Sequence, residues 1–326
     1  MAGNSLIESQ SSAGINSKQS KKAILAKMYA LLGLIIMSVI LSIASPYFLT
    51  TDNLLTIALE TSIIAILALG QVYVIISAGI DLSVGSTLAL AGVISSQLLL
   101  AGWPTPVALL AGILAGGFLG LINGFVITKG KMPPFIVTLG MMGVARGLAL
   151  VLTDGLPVSG LPESFTNLGN GRILNIPIPV IFLVIVAVIA AFILSKTIFG
   201  RYVYSIGSNE EAAQLSGINV NFHKMMIYVV CGLFAGLAGV LMSARLVSAQ
   251  PSAGMGYELD AIAAVVIGGA SLMGGIGTVG GTIIGAFIMG VLRNGLNLLN
   301  VSPFWQQIAI GIVIVLAVYL DQIRRK

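Results

Sequence analysis

The sequence predicts an all-α fold, a polytopic membrane helix bundle of about ten transmembrane helices, on three observations. Hydrophobic residues make up 57% of the 326, and mean hydropathy is +1.05, well above that of a soluble domain. Charge is scarce, with 16 Lys and Arg and 11 Asp and Glu. Those charges gather at intervals between long apolar stretches. Such a surface cannot face water on all sides. The buried helices of a large soluble protein would not supply so many long apolar runs.

Residues 1–27 are polar and then basic, and read as a disordered cytoplasmic tail. No apolar run with a small-residue cleavage site precedes Met28, so the first helix acts as its own targeting signal. Residues 28–326 form one transmembrane domain. A span needs roughly 20 mostly apolar residues. In chain order the segments that qualify are Met28–Ala44, Ile57–Ser77, Val84–Leu100, Pro106–Thr128, Pro134–Thr153, Ile178–Ser195, Met225–Val247, Leu259–Leu272, Gly281–Leu299 and Phe304–Leu320. The eighth is short, and Gly268–Gly269 interrupts it, so it reads as tilted, broken or re-entrant.

The Lys and Arg bias orients the set with both termini in the cytoplasm. Lys18, Lys21, Lys22, Lys27, Lys129, Lys131, Lys196, Arg201, Lys224, Arg324, Arg325 and Lys326 then fall inside. Arg172 falls outside, in a longer loop with Asp154 and Glu163.

The 40 glycines include series spaced for close helix contact. Gly112, Gly116 and Gly120 form one, Gly232, Gly236 and Gly239 another, and Gly281, Gly285 and Gly290 a looser third. Part of this is the ordinary glycine content of membrane helices. The rest points to a compact bundle whose spans rock against one another. Gly116–Gly124 and Gly280–Gly290 share a glycine-paired start about half the chain apart. Five spans separate them, and an odd number reverses direction, which predicts an inverted five-plus-five repeat.

Glu60, Gln71, Asp81, Asn123, Arg146, Arg245, Glu258, Asp260, Arg293, Asn294 and Asn297 lie in or beside spans. Ionised groups are expensive in hydrocarbon, so these should face the bundle interior, a water-filled path or the headgroups. Gln71, Asp81, Ser83, Asn123, Asn294 and Asn297 are the candidates for lining or gating a path. Asp81 or Ser83 can equally be a structural cap on the helix that follows. Glu258 and Asp260 precede the eighth span and can cap it in the same way.

Nothing in the chain resembles catalysis. His223 is alone beside Lys224, Cys231 sits in an apolar span, and no cluster of His, Cys and carboxylates suggests a metal. There is no Gly-x-x-x-x-Gly-Lys-Ser/Thr phosphate loop. Acidic groups are scarce in mid-span, which argues against a self-contained proton- or sodium-driven carrier. A bare pore or facilitator remains open, and a transporter energised by a separate subunit fits better.

The longest inner loop, 196–224, offers that subunit a docking point. Asn209 caps a short helix with Glu210 and Glu211 in its first turn, Ala212, Ala213 and Leu215 give it an apolar face, and Gly217 ends it. Such a helix suits insertion into a groove on a partner. A helix lying on the bilayer is the alternative, but the run lacks a large anchor and basic character.

Several long strings carry a family resemblance over nearly everything after residue 28. They include Gly79-Ile-Asp-Leu-Ser-Val-Gly-Ser86, Gly200-Arg-Tyr-Val-Tyr204, Gly207-Ser-Asn-Glu-Glu-Ala-Ala213, Gly256-Tyr-Glu-Leu-Asp-Ala-Ile-Ala-Ala-Val-Val266 and Asn294-Gly-Leu-Asn-Leu-Leu299. On these the chain resembles the ribose-type sugar permease subunits of bacterial ATP-binding-cassette importers. The resemblance implies a multi-pass protein of the bacterial inner membrane that moves ribose, or a similar pentose or hexose, into the cytoplasm. Another small polar cargo, such as a furanose-like signalling molecule, stays open. It also implies a second permease subunit as a homodimer, two cytoplasmic ATPase domains and a periplasmic sugar-binding protein. ATP and Mg would sit on the partner, with no cofactor bound by this chain. The Glu210–Gly217 region would then couple ATPase closure to the spans.

Overall fold

The computed structural model describes residues 28–323. The expected tail at 1–27 and the basic end at Arg324–Lys326 lie outside the described residues.

The described chain is a helix bundle, and every predicted span contains helix. Six helices are long and apolar enough to cross a membrane. They are α2 (Thr51–Ile76), α4 (Thr105–Lys129), α5 (Pro134–Thr153), α7 (Ile178–Lys196), α10 (Val220–Arg245) and α12 (Val279–Leu298). Three more are apolar: α1 (Met28–Ala44), α3 (Val84–Leu100) and α13 (Pro303–Ile323). Prolines open α4, α5 and α7 at their first turns, where a missing N–H costs nothing.

The eighth predicted span, Leu259–Leu272, is broken at Gly268–Gly269, the interruption read in the sequence, and is shorter than its apolar run. Helix α11 covers only Tyr257–Ile267, about 16 Å at 1.5 Å per residue, roughly half the hydrocarbon thickness. Gly268 caps it, and Gly269 takes φ +92°, which turns the chain into a tight loop over 268–278.

Three helices fall outside the predicted spans: α6 (Glu163–Asn170), α8 (Ile198–Ser208) and α9 (Glu210–Leu215). The all-α class has one small exception, a hairpin of β1 (Arg172–Ile173) and β2 (Ile176–Pro177). Its two turn residues, Leu174 and Asn175, both have positive φ, the backbone that a two-residue hairpin needs. Helix α6 is tied down by Phe165, fully buried beside Leu99, Ala108, Val240 and Ala244.

Helix α2 runs through the middle, with 89% of its most apolar window buried. Helix α10 packs on it at Gly70, where a Cβ would crowd the Cys231 backbone, and α4 packs antiparallel on α10 through glycine. A Cβ at Gly116 would overlap the Gly232 carbonyl, and one at Gly120 the Tyr228 carbonyl, so the two backbones nearly touch. In lipid this close approach supplies the association that apolar area cannot. Apolar side chains on the outer faces of α1, α5, α7 and α13, among them Ile43, Val151, Val188 and Val315, stay exposed as a lipid-facing surface requires.

Candidate functional site

Helix α8 enters from Thr197, whose side chain accepts from Gly200 N at 3.2 Å. The chain bends at Asn209, which is extended at φ −162°, and α9 begins. Asn209 Oδ1 accepts from Ala212 N at 2.9 Å, which makes it the N-cap. Glu210 and Glu211 occupy the first turn, where the helix dipole favours negative charge. Gly217, at φ +84°, ends the helix, and Ile218 N closes back on Ala213 O at 3.2 Å.

The apolar face of α9 is divided. Ala213 is buried against Ile206 and Val220 and seats the helix on its own chain. Ala212 is exposed, and Leu215 is 89% exposed, so neither serves internal packing. Lys224 Nζ reaches Glu210 Oε2 at 2.6 Å, binding α9 to the start of α10. Glu211, Ala212 and Leu215 are left as a projecting surface of one charge and small apolar groups.

The six path candidates separate into two groups. Gln71, Asp81, Ser83 and Asn123 converge at the irregular segment 77–83 between α2 and α3, all buried. Asp81 Oδ1 accepts from Ser83 N at 2.8 Å and Ser83 Oγ at 2.6 Å. Asn123 Nδ2, on α4, donates to the same Oγ at 2.9 Å. Of the two expected caps, neither takes the usual form: Ser83 holds the N-cap position without a side-chain bond to the helix, while Asp81 satisfies the N–H of Ser83 itself. Gln71 sits one layer away and accepts from Cys231 Sγ at 3.7 Å. Gln71 Nε2, Asn123 Oδ1 and the Tyr228 hydroxyl are buried with no partner among the described residues. Each such atom costs about 1–3 kcal/mol until something polar meets it.

Asn294 and Asn297 lie elsewhere. Asn294 exchanges amide hydrogen bonds with Asn53 at 2.9 and 3.1 Å, joining α12 to the first turn of α2. Asn297 Oδ1 accepts from Gln306 Nε2 at 2.7 Å, joining α12 to α13.

A second polar cluster was foreseen only as separate charges that should face inward. Arg245 on α10 meets Glu60 on α2 at 3.1 Å, and Arg293 on α12 meets Asp260 on α11 at 2.6 Å. The Arg293 guanidinium also lies 5.8 Å from the ring centre of Tyr257. Arg146 donates to the carbonyls of Pro251 and Ala253, pinning the irregular segment before α11. Of the two expected caps there, Glu258 Oε1 accepts from Gly256 N at 3.3 Å, whereas Asp260 is taken by its arginine. Opposite charges in separate spans were the available signal, but their spacing in sequence gives no partner.

Among the described residues no group of His, Cys, Asp and Glu could hold a metal ion. Against known proteins, a family model described as the permease component of branched-chain amino acid transport systems matches residues 53–318. The chain is 48% identical over 305 residues to the ribose import permease protein RbsC of Haemophilus influenzae, covering 91% of this chain and 93% of that one. Against the ribose import permease protein RbsC of Bacillus subtilis the identity is 49% over 301 residues, with 92% and 94% covered. The D-allose transport system permease protein AlsC of Escherichia coli is 42% identical over 293 residues, with 90% of each covered. No solved structure matches. These matches run through α2 to α13, the helices that hold both polar clusters and the α8–α9 segment. The chain therefore belongs to the branched-chain amino acid transport system / permease component family.

Proposed function

We propose that this protein is the transmembrane permease subunit of an ATP-binding-cassette sugar importer, carrying ribose or a similar pentose or hexose. The observation that carries the reading is similarity to ribose import permeases over nine-tenths of the chain, at 48–49% identity. In this reading the chain works without a covalent step of its own. A second copy completes the permease, two cytoplasmic ATPase domains bind ATP and Mg, and a periplasmic binding protein selects the sugar.

Residues 28–326 form the permease domain, behind a cytoplasmic tail at 1–27 and with both termini on the cytoplasmic side of the bacterial inner membrane. Ten spans are counted, with α11 as a half-span, arranged as an inverted five-plus-five repeat. Support comes from α3 and α11, which would correspond: both are entered through irregular segments, 77–83 and 246–256, and a Cβ at Gly85 would overlap the Gly254 carbonyl. The segment 196–224 is the coupling loop, with Asn209, Glu210, Glu211, Ala212, Ala213, Leu215 and Gly217 forming the helix that enters the ATPase. Its exposed Leu215 and acidic first turn support that role. Gln71, Asp81, Ser83 and Asn123 gate the path from inside the bundle, and Asn294 and Asn297 hold the outer ends of α2, α12 and α13.

Uptake of labelled ribose by cells lacking this chain, with and without its restoration, tests the function directly. Restored uptake that needs the partner ATPase supports the importer. Restored uptake without it would make the chain a facilitator, and uptake of other sugars alone would move the cargo.

A further inference from the structure

The last carbonyls of a helix have no partner within it, and at the end of α2 one is used in an unusual way. Ile76 C=O accepts from Gly275 N at 2.8 Å, in the 268–278 loop that follows α11. The same carbonyl faces Gly207 on α8, where a Cβ would overlap it and would lie 2.8 Å from Gly275 N. Gly274, at φ +85°, brings the loop onto Ala78, whose Cβ lies 2.8 Å from the place of a Gly274 Cβ. Tyr204 stands one turn before Gly207 on the same face of α8 and donates to Gly277 O at 2.7 Å. Burial pushes its hydroxyl pKa up to about 12, so it remains a donor at neutral pH.

Three backbones therefore meet with no side chain between them: the end of α2, helix α8 and the 268–278 loop. Contacts between side chains can absorb a small displacement by changing rotamer, and backbone contacts cannot. On one side α8 leads through Asn209 directly into α9. On the other, Ile76 opens the break that carries Asp81, and the loop continues the interrupted α11.

We propose that Gly207, Gly275 and Tyr204 form a joint that carries movement of α9 to both interrupted segments, 77–83 and 268–278. The inference rests on the coupling role assigned above to α9. Tyr204 is a positioning residue here, since its hydroxyl holds the loop on α8.

The test uses the whole transporter, permease with its ATPase and binding protein, reconstituted in lipid vesicles and assayed for sugar moved per ATP hydrolysed. Tyr204→Phe removes one hydroxyl and leaves the ring. It should keep assembly and ATP hydrolysis and lower the transport-to-hydrolysis ratio about fivefold, as expected for one net hydrogen bond. A Glu210→Ala, Glu211→Ala double variant separates the two ideas. A wild-type ratio in Tyr204→Phe beside a lost ratio in the double variant overturns the joint alone. A wild-type ratio in both overturns the coupling role and the joint with it.

Discussion

Asp81 is held by its neighbour and not by a counter-charge. Its Oδ1 takes both the N–H and the hydroxyl of Ser83, at 2.8 and 2.6 Å, inside the bundle. Asp81→Asn keeps an acceptor at that place, whereas Asp81→Ala leaves a buried N–H unpaired. The alanine variant should lose about 2 kcal/mol of stability and the asparagine variant clearly less, read as melting temperatures of the purified protein. Equal losses would mean that charge, and not the turn, is what matters. Glu210 behaves oppositely. Its carboxylate side chain is 51% exposed in the pair with Lys224, and such a pair is worth about 0–1 kcal/mol. Glu210→Ala should therefore melt close to wild type even where ATP hydrolysis no longer drives transport. A large drop in melting temperature would turn its coupling role into a folding role. Both residues were singled out in the sequence, Asp81 by its flanking glycines and Glu210 by the capping pattern. Neither the Asn123 bond to Ser83 nor the Lys224 ion pair was legible, because each joins residues far apart in the chain.

Glycine does different work on different helices, and only the packed structure separates the cases. Gly232 on α10 lies against α4, and a Cβ there would overlap the Gly116 carbonyl. Gly33 on α1 has nothing within 4 Å of the place of its Cβ. Gly232→Ala should destabilise by about 2 kcal/mol, because backbone must move to make room. Gly33→Ala should stay within about 0.5 kcal/mol of wild type. Thermal unfolding in one detergent compares the two, and matching values would remove the close-packed glycine seam as a source of stability. The series spacing identified the seam correctly, since i, i+4 residues share a helix face. The sequence read the eighth span as interrupted at Gly268–Gly269, and α11 ends there, at Ile267, although the apolar run continues to Leu272, because Gly269 takes a left-handed backbone. Hydropathy registers composition, and the chain turned on conformation.

The outer and inner assignments make a whole-molecule prediction. Cysteines placed at exposed positions by Glu163→Cys, on α6, and Glu211→Cys, on α9, should react with a membrane-impermeant thiol reagent from opposite sides of intact vesicles. Reaction of both from the same side would sink the orientation, and with it the docking of α9 onto a cytoplasmic ATPase. The sequence by itself determined that this chain is a membrane helix bundle, which of its stretches are apolar helix, and that α9 is a capped acidic helix. It also carried the permease resemblance that the family match bears out. Apolar run length, charge position and capping residues are local properties, readable from a few consecutive residues. The tertiary structure alone decided which polar residues meet. Ser83 joins Asn123, Arg293 joins Asp260, and Ile76 meets Gly207 and Gly275 only because separate helices pack to within backbone distance. Pairing across a bundle depends on the rotation and crossing of each helix, and those are set by the fit of all the faces at once.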